Sequence, residues 1–315
     1  MTNENAAGAV NERAKGHLAA ISSNVLYGAN INITKSLFAL SWMTPLGYSY
    51  IRIIFGLLFF WTLGLLKEKE RPSPADMAII LCAGFLGMVL TQISYTVALD
   101  YISPVTMSLI MALIPIAVML LSAAFIKESF TLKKAIGAAL GMAGAALIVL
   151  YNREGGPSSS GFLGVLLALL SVLAQAVYFI ILRKIAGKYS PVTMMKWMFL
   201  LAAVFLSPLC LSALPKQRLF SHEANILPMF QLAFGLVFGC AAAVFLLPVA
   251  LKRIKASTAS MYGNLQPLAA STIAIIAGQD SFSWDKPLAL LLIAMGIFLV
   301  ASGSFFGQKA VKLHR

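Results

Sequence analysis

The sequence predicts an all-helical integral membrane protein with ten transmembrane helices, arranged as two inverted repeats of five helices each. Three observations predict this fold class. Hydrophobic residues make up 60% of the chain and charged residues only 11%, whereas charged residues are about a quarter of an ordinary soluble domain. The chain contains ten apolar stretches of bilayer length, for which about 20 helical residues are needed. One long part of the sequence also occurs twice.

The ten apolar stretches are called segments 1 to 10 below. They lie near residues 17–38, 45–66, 76–98, 103–126, 133–151, 161–183, 191–213, 229–251, 257–277 and 286–306. Helices are expected because no stretch has the alternating pattern of about ten residues found in membrane strands. Segment 1 contains Asn24, Asn30 and Asn32, and no small-residue cleavage site follows it, so it is expected to be a retained helix rather than a signal peptide.

The repeat is visible by direct comparison. Residues 97–144 overlie residues 249–296 at an offset of 152 positions, without a gap and with fourteen identities. The first segments of the two halves align more weakly at an offset of 148, with Ser23 opposite Ser171 and Lys35 opposite Arg183. Because five segments separate equivalent positions, the second copy must cross the membrane in the opposite direction. An inverted repeat of this kind is typical of alternating-access transporters.

The repeat divides the chain into four parts: a tail at 1–16, the first repeat at 17–151, the second repeat at 161–306 and a tail at 307–315. The two termini and the loops after segments 2, 4, 6 and 8 carry 17 of the 24 Lys and Arg residues. The positive-inside rule therefore predicts that both termini are cytoplasmic, in a multi-pass protein of the cytoplasmic (inner) membrane.

The charged and sulfur-containing residues exclude several function classes. The net charge of +13 does not indicate nucleic-acid binding, because the basic residues lie in short loops rather than in one patch. The three cysteines and three histidines are isolated, so we expect no metal, no cofactor and no enzyme activity. All eleven acidic residues fall in loops, tails or helix ends. An exchanger of protons for cationic drugs needs a carboxylate at the bilayer midplane, so neutral, zwitterionic or anionic cargo is favoured.

Polar stripes predict a cavity for a small-molecule substrate. On segments 1 and 9 amide and hydroxyl side chains recur at helical spacing, and such faces cannot contact lipid without cost. Met111 and other apolar residues of segment 4 would form a second, adaptable wall, which suits cargo with an apolar side chain and a polar head. The predicted lining residues are Tyr27, Asn30, Thr34, Gln92, Tyr95, Ser108, Met111, Gln175, Tyr178, Ser260, Tyr262, Asn264 and Gln266. Hydrogen bonding between helices alone is the alternative for each of them.

Two prolines and two charges stand out inside the segments. Pro115 and Pro267 occupy equivalent positions, and each removes a backbone hydrogen bond, so they are predicted hinges or, alternatively, static kinks. Arg52 lies about two turns inside segment 2, where a central Arg costs about 2.5 to 3.5 kcal/mol. A structural partner such as helix-end carbonyls or lipid phosphate is favoured for it. Lys35 either reaches the cavity mouth or extends to the membrane interface.

Two Gly-x-x-x-Gly pairs allow helices to approach closely. They are Gly137 with Gly141 on segment 5 and Gly235 with Gly239 on segment 8. Packing within one bundle is favoured over dimerisation, so we expect a monomer in the lipid bilayer, with a homodimer as the alternative.

Several motifs resemble the EamA branch of the drug/metabolite transporter superfamily across residues 16–306. They are Gly28-x-Asn30-x-x-x-x-Lys35, Pro45 followed by Arg52, Ala98–Ser103 leading to Ala112–Pro115, Lys127-Glu128 followed by Gly137 and Gly144, and the echo at Leu265-Gln266-Pro267 through Asp280 to Gly296. The resemblance implies a carrier that exports or exchanges amino acids and other small metabolites. It also implies that segments 1, 3, 4, 6, 8 and 9 surround the cavity and that segments 2, 5, 7 and 10 support them.

One position departs from the family pattern. Gln266 stands where many relatives have an acidic residue, which puts carboxylate-based proton coupling in doubt. Within transport, the alternative is a carrier of phosphorylated or nucleotide-linked sugars, which would be favoured if Arg52 or Lys35 faced the cavity. A lipid flippase and a membrane enzyme are the alternatives from other classes.

Overall fold

The computed structural model describes residues 3–39, 42–66, 70–98, 101, 110–111, 113–128, 131–151, 162–211, 217–218, 226–276, 284 and 287–300. Regular secondary structure in these ranges is helical throughout. Five helices are long and apolar enough to cross a membrane: Leu46–Leu65, Pro74–Tyr95, Phe162–Ile185, Pro191–Pro208 and Ile226–Arg253. Two shorter apolar helices are Ile114–Ile126 and Pro287–Val300. The chain is therefore an all-helical membrane protein.

In the first half, segment 1 belongs to one long helix, Asn3–Ala39, and segment 2 is Pro45–Leu65. Segment 3 is a continuous run of Pro74–Gly84, the π-helix Phe85–Leu90, and Thr91–Ala98. Segment 4 contains Ile114–Ile126, and segment 5 is Leu132–Tyr151. The first helix begins well before the predicted residue 17, because the residues ahead of it are mostly helix-favouring Ala, Glu, Arg and Lys mixed with Asn.

In the second half, segment 6 is Phe162–Ile185 and segment 7 is Pro191–Cys210. Segment 8 combines Ile226–Phe234, the π-helix Gly235–Ala242, and Ala243–Arg253. Segment 9 divides into Ala256–Met261, a 3₁₀ turn at Tyr262–Asn264, and Leu265–Ile276. The helix Pro287–Val300 belongs to segment 10.

Segments 2, 3 and 7 begin in the same way. A hydroxyl residue, Thr44, Ser73 or Ser190, accepts a hydrogen bond from a backbone N–H in the first turn, and a proline follows it directly. The hydroxyl satisfies one of the N–H groups that a helix start leaves without a partner, and proline lacks an N–H that would need one.

The two predicted hinge prolines lie next to breaks in their segments. Pro115 is the second residue of Ile114–Ile126, with a turn at Leu113 before it. Pro267 is the third residue of Leu265–Ile276, directly after the 3₁₀ turn. Continuous kinked helices were expected. The helix restarts instead, because the first turn is where a missing N–H costs no hydrogen bond. The hinge role itself stays a prediction, and the side chain of Pro267 lies outside the described residues.

Helix packing relates the two halves. Segment 1 packs against segments 8 and 9, and segment 6, its counterpart, packs against segments 3 and 4. Segment 2 packs against segment 7, which is the equivalent segment of the second half. The largest core cluster contains buried residues of segments 1, 2, 3, 4, 6, 7, 8 and 9, and it includes Phe60, Leu182, Met194 and Met198.

Segments 5 and 10 cross through small residues. A side chain at Gly137 would meet the carbonyl oxygen of Gly296, and one at Gly144 would meet the carbonyl oxygen of Ala289. Because the early residue of one helix meets the late residue of the other, the two helices run antiparallel at this crossing. Gly137 and Gly141 thus pack within the bundle, as predicted for this pair.

Candidate functional site

A group of polar side chains from segments 1, 2 and 8 meets inside the bundle. We call Tyr27, Asn30, Tyr48, Arg52 and Cys240 the arginine cluster. The Tyr48 hydroxyl donates to Asn30 Oδ1 at 3.2 Å and accepts from Asn30 Nδ2 at 3.1 Å. Both residues are buried, with 6% of Asn30 and 4% of Tyr48 exposed. Asn30 is one of the predicted lining residues, and Tyr48 holds its amide in place.

Two glycines of segment 8 leave the space that this pair of side chains occupies. Any side chain at Gly239 would collide with the Asn30 amide, and one at Gly235 would collide with both Asn30 Oδ1 and the Tyr48 hydroxyl. The second Gly-x-x-x-Gly pair therefore accommodates polar side chains rather than another backbone. The π-helix Gly235–Ala242 contains both glycines, and such π-bulges frequently lie at functional sites.

Arg52 lies in the same group. Arg52 follows Tyr48 by one turn on segment 2, and Tyr27 precedes Asn30 by one turn on segment 1. Because consecutive spans run in opposite directions, Arg52 and Tyr27 lie on the same side of the Asn30–Tyr48 bond. The Cys240 thiol also donates to the backbone carbonyl of Arg52 at 3.4 Å, which ties segment 8 to segment 2 here. Sequence analysis favoured a structural partner for Arg52, such as carbonyls or lipid phosphate. Among the described residues no carbonyl accepts a hydrogen bond from its guanidinium, so this partner stays a prediction.

Tyr178 brings the second half of the chain to this group. It is buried in the core cluster against which Tyr27 packs. It also fills the space over Gly87, where any side chain would collide with its ring. Asn30 packs on Gly239 in the same way as Tyr178 packs on Gly87. Tyr178 is equivalent to Asn30 at the offset of 148, and Gly239 is equivalent to Gly87 at the offset of 152, so the same contact occurs twice.

The two π-helices have a matching pair of hydrogen bonds. Ser23 Oγ donates to the carbonyl oxygen of Ala243 at 2.7 Å, and Ser171 Oγ donates to that of Thr91 at 3.1 Å. Ala243 and Thr91 directly follow the two π-helices. A π-bulge disturbs the regular ladder of backbone bonds, so a hydroxyl from the neighbouring helix satisfies the carbonyl there.

Segments 1 and 9 meet through amides. Gln266 Nε2 donates to Asn24 Oδ1 at 2.7 Å, and Asn32 Nδ2 donates to the carbonyl oxygen of Ala270 at 2.5 Å. Toward the start of segment 9, the Tyr262 hydroxyl lies 2.8 Å from His17 Nδ1. Gln266 and Tyr262 thus contact segment 1, as expected for residues at a common interface.

The remaining predicted lining residues do not all join these groups. Asn264 lies against Gly141 of segment 5, with its Nδ2 buried and without a hydrogen bond. Asn30 and Asn264 therefore face different helices. The others are distributed as follows: Ser260 bonds to the Ser257 carbonyl, Gln92 bonds to Ser49, Tyr95 and Met111 join an apolar cluster with Ala98 and Ala168, Gln175 is half-buried, and Thr34 Oγ1 is buried without a partner. Ser108 and the side chain of Lys35 lie outside the described residues.

A buried ion pair joins segments 5 and 9 at one end of the bundle. Lys134 Nζ lies 3.8 Å from Glu128 Oε2 and donates to Ser257 Oγ at 3.3 Å. Glu128 in turn accepts from Ser257 Oγ at 2.5 Å and from the backbone N–H of Ala256 at 3.1 Å. Glu128 therefore caps the helix that starts segment 9. Sequence analysis missed this network, although the repeat gave a signal: Asp280 and Lys286 stand at the equivalent positions.

Sequence analysis also missed Tyr48, whose signal was its place four residues before Arg52, on the same helix face.

The side chains of the described residues limit which ligands this site can bind. Among the described residues, no group of three or more His, Cys, Asp or Glu side chains could hold a metal ion. What the arginine cluster offers is a cation, phenol hydroxyls and an amide, which together can bind a polar or anionic group.

Comparison with known proteins agrees with this architecture. The model of the EamA-like transporter family matches the chain twice, at residues 14–150 and 162–302. An uncharacterized transporter of Archaeoglobus fulgidus is 23% identical over 84% of this chain and 91% of its own length. A probable terminal-alkyne amino-acid exporter of Streptantibioticus cattleyicolor is 27% identical over 72% of this chain and 73% of its own. One solved crystal structure superimposes with a TM-score of 0.75 at 19% identity, covering 93% of this chain and 99% of that one.

Proposed function

Because the chain belongs to the EamA-like transporter family, we propose that it is a secondary carrier that exports or exchanges amino acids or related small metabolites by alternating access. The carrier would work in the cytoplasmic membrane as a monomer, with both termini in the cytoplasm. The observation that carries this proposal is the arginine cluster, a polar group in the interior of apolar helices, where Tyr27 of one half packs against the core cluster that contains Tyr178 of the other.

The inverted arrangement of two five-helix repeats, with ten spans in total, is the architecture that we propose for this carrier. The antiparallel crossing of segments 5 and 10 supports it, as do the matching bonds from Ser23 and Ser171. The first segment of each half packs against helices of the other half, so a cavity between the halves would be lined by residues of both. Rocking of the halves would then expose it to one side at a time.

Three features support amino-acid-like cargo. The arginine cluster supplies donors for a polar head, and Tyr95 with Met111 forms an apolar cluster between segments 3, 4 and 6. No acidic residue lies near the centre of any segment in the sequence, which disfavours cationic cargo. A relative at 27% identity is named a probable exporter of an amino acid.

Transport from liposomes tests the proposal. Purified protein would be reconstituted into liposomes loaded with the twenty standard amino acids, and mass spectrometry would follow their saturable release. We expect release of at least one of them, and loss of that release in the double variant Asn30→Ala/Tyr178→Ala. Gly187→Ala is the matched control, since a side chain there meets no atom within 4 Å. If no amino acid leaves faster than from empty liposomes, the cargo assignment is wrong.

A second candidate cargo has one observation in its favour. Arg52 points toward the interior of the bundle, and Arg pairs well with phosphate. An interior Arg52 therefore favours a phosphorylated sugar or a nucleotide sugar as the cargo. The same liposomes loaded with glucose 6-phosphate and UDP-glucose would reveal such a carrier. Release of these compounds and not of amino acids would favour it.

A further inference from the structure

Arg52 is a charge without a conventional partner in an apolar helix. It lies in Leu46–Leu65, one of the five helices able to span a membrane. Among the described residues, no carboxylate lies within ion-pair distance of it, and its guanidinium donates no hydrogen bond to any of them. A guanidinium carries five N–H donors and keeps its charge in proteins. An intramembrane charge of this kind needs an acceptor.

The helix geometry directs Arg52 toward the interior. Trp61 follows nine residues later, which at 100° per residue places it about 180° away on the helix. Trp61, Leu58 and Leu65 form the outward face of segment 2, with 37%, 63% and 76% of their surfaces exposed. Arg52 therefore points away from the exposed face of segment 2.

The neighbours of Arg52 form an incomplete binding site. The Asn30 amide and the Tyr48 hydroxyl are already bonded to each other, which fixes their positions. The structure describes no acceptor for the Tyr27 hydroxyl, and Tyr27 lies on the same side of the Asn30–Tyr48 bond as Arg52. Arg52 and Tyr27 thus present donors of hydrogen bonds at one place, held by side chains that are themselves fixed. Arg52 itself is half-buried.

We infer that Arg52 is the specificity-determining residue of the cargo site and binds the carboxylate of the transported compound, with the Tyr27 hydroxyl as a second donor. This inference rests on the proposed function and adds the chemical class of the cargo. An oxyanion satisfies the planar fork of a guanidinium with two parallel hydrogen bonds. A phosphate group has the same acceptor chemistry, so both oxyanions are included in the test.

The test compares ligands that differ only at the carboxylate. Thermal unfolding of the purified full chain in detergent would be measured with L-leucine, L-leucinamide, isovalerate and inorganic phosphate, since a bound ligand raises the unfolding temperature by mass action. We expect L-leucine and isovalerate to stabilise the wild type, and L-leucinamide not to. Arg52→Gln should bind the carboxylates about 10- to 100-fold more weakly, the range set by a charged hydrogen bond. Arg52→Lys keeps the charge and should retain part of the affinity.

Controls separate folding from binding and separate the two proposals. Lys196→Met removes another cation of the helical bundle, one that lies over Trp61 and Trp197, and should leave ligand binding unchanged. Should Arg52→Gln not fold, the ligand series on the wild type and on Arg52→Lys still decides. Stabilisation by phosphate alone would assign the site to phosphorylated cargo.

Four outcomes are distinguishable. L-leucine transport that needs Arg52 supports both proposals. Binding of oxyanions through Arg52 without any amino-acid transport keeps the site and overturns the amino-acid cargo. Transport of L-leucine that L-leucinamide inhibits equally well, or that Arg52→Gln leaves unchanged, overturns the role of Arg52 and keeps the carrier. Absence of both binding and transport overturns both.

Discussion

Individual hydroxyls stabilise the two irregular helices of this protein. Ser23 and Ser171 are almost completely buried, at 1% and 0% exposure, and each bonds to the carbonyl that follows a π-helix. Because these bonds lie in equivalent places, the loss of either should have a similar effect. The contribution of this hydrogen bond to stability can therefore be measured at two equivalent sites, Ser23 and Ser171, in one molecule.

We predict that Ser23→Ala and Ser171→Ala each lower the free energy of unfolding by about 0.5 to 1.5 kcal/mol, the usual net value of a hydrogen bond. The two changes should add in the double variant, since the sites are well separated and share no partner. Denaturant unfolding in detergent measures this. Ser22→Ala is the control, because the structure gives Ser22 no hydrogen bond. An equal loss in that control would contradict the prediction.

A second prediction at this scale concerns the glycine beneath Asn30. Gly239→Ala should destabilise the protein by about 1 to 3 kcal/mol, because the added methyl group overpacks a filled contact. It should also weaken transport by displacing the amide from Tyr48. Gly187→Ala, with open space around it, should change stability by no more than about 0.5 kcal/mol. Thermal unfolding and liposome release measure the two effects, and equal unfolding temperatures for both variants would contradict the packing argument.

The sequence predicted polar interior residues better than their partners. The stripes of segment 1 predicted that Asn24, Asn30 and Asn32 would not face lipid, because the cost of exposing an amide to hydrocarbon depends on the residue alone. In the structure each of these amides makes a hydrogen bond. The partner of each amide depends on how helices cross, and a single helix pattern does not contain that information. Sequence reasoning therefore placed Asn30 and Asn264 in one cavity, whereas they face different helices.

At the scale of elements, the Glu128–Lys134 pair connects the loop before segment 5 with the start of segment 9. The side chain of Lys134 is 1% exposed and that of Glu128 is 8% exposed. Two charges so deeply buried are stable only together, since removal of one leaves the other without compensation.

We predict that Glu128→Gln lowers the free energy of unfolding by about 3 to 5 kcal/mol, because it leaves the Lys134 charge buried and unpaired. The double variant Glu128→Gln/Lys134→Met should lose less than the two single changes added together, since neither charge then remains. A double-mutant cycle by denaturant unfolding gives this coupling. Glu12→Gln, which breaks exposed pairs with Lys15 and Arg253, should have little effect. Strict additivity in the cycle would show that the two charges do not interact.

Element boundaries show where sequence patterns are weak. The apolar segments were predicted because hydropathy is a local feature. The caps at Thr44, Ser73 and Ser190 were not predicted, although the proline that follows each of them is an equally local signal. The π-helices of segments 3 and 8 were not predicted, since no residue preference marks a single extra residue in a helical turn. The irregularity is itself repeated, since Leu90 and Ala242, where the π-helices end, are equivalent residues.

At the scale of the whole molecule, the repeat determines how the halves assemble. Segment 1 contacts segments 8 and 9, and segment 6 contacts segments 3 and 4, so neither half is complete without the other. The antiparallel crossing of segments 5 and 10 places equivalent residues at opposite ends of the bundle. A direct consequence is that equivalent loops should lie on opposite sides of the membrane.

Leu132 and Trp284 make this consequence measurable, because they are equivalent at the offset of 152 and are 76% and 81% exposed. We predict that Leu132→Cys is labelled by a membrane-impermeant maleimide only from the cytoplasmic side, and Trp284→Cys only from the outside. Both variants would be made in a chain with Cys82, Cys210 and Cys240 replaced by Ala, and intact cells would be compared with inverted vesicles. The unsubstituted cysteine-free chain is the control for background labelling. Labelling of both positions from the same side would mean parallel repeats, and it would contradict the inverted architecture, in which equivalent residues lie at opposite ends of the bundle.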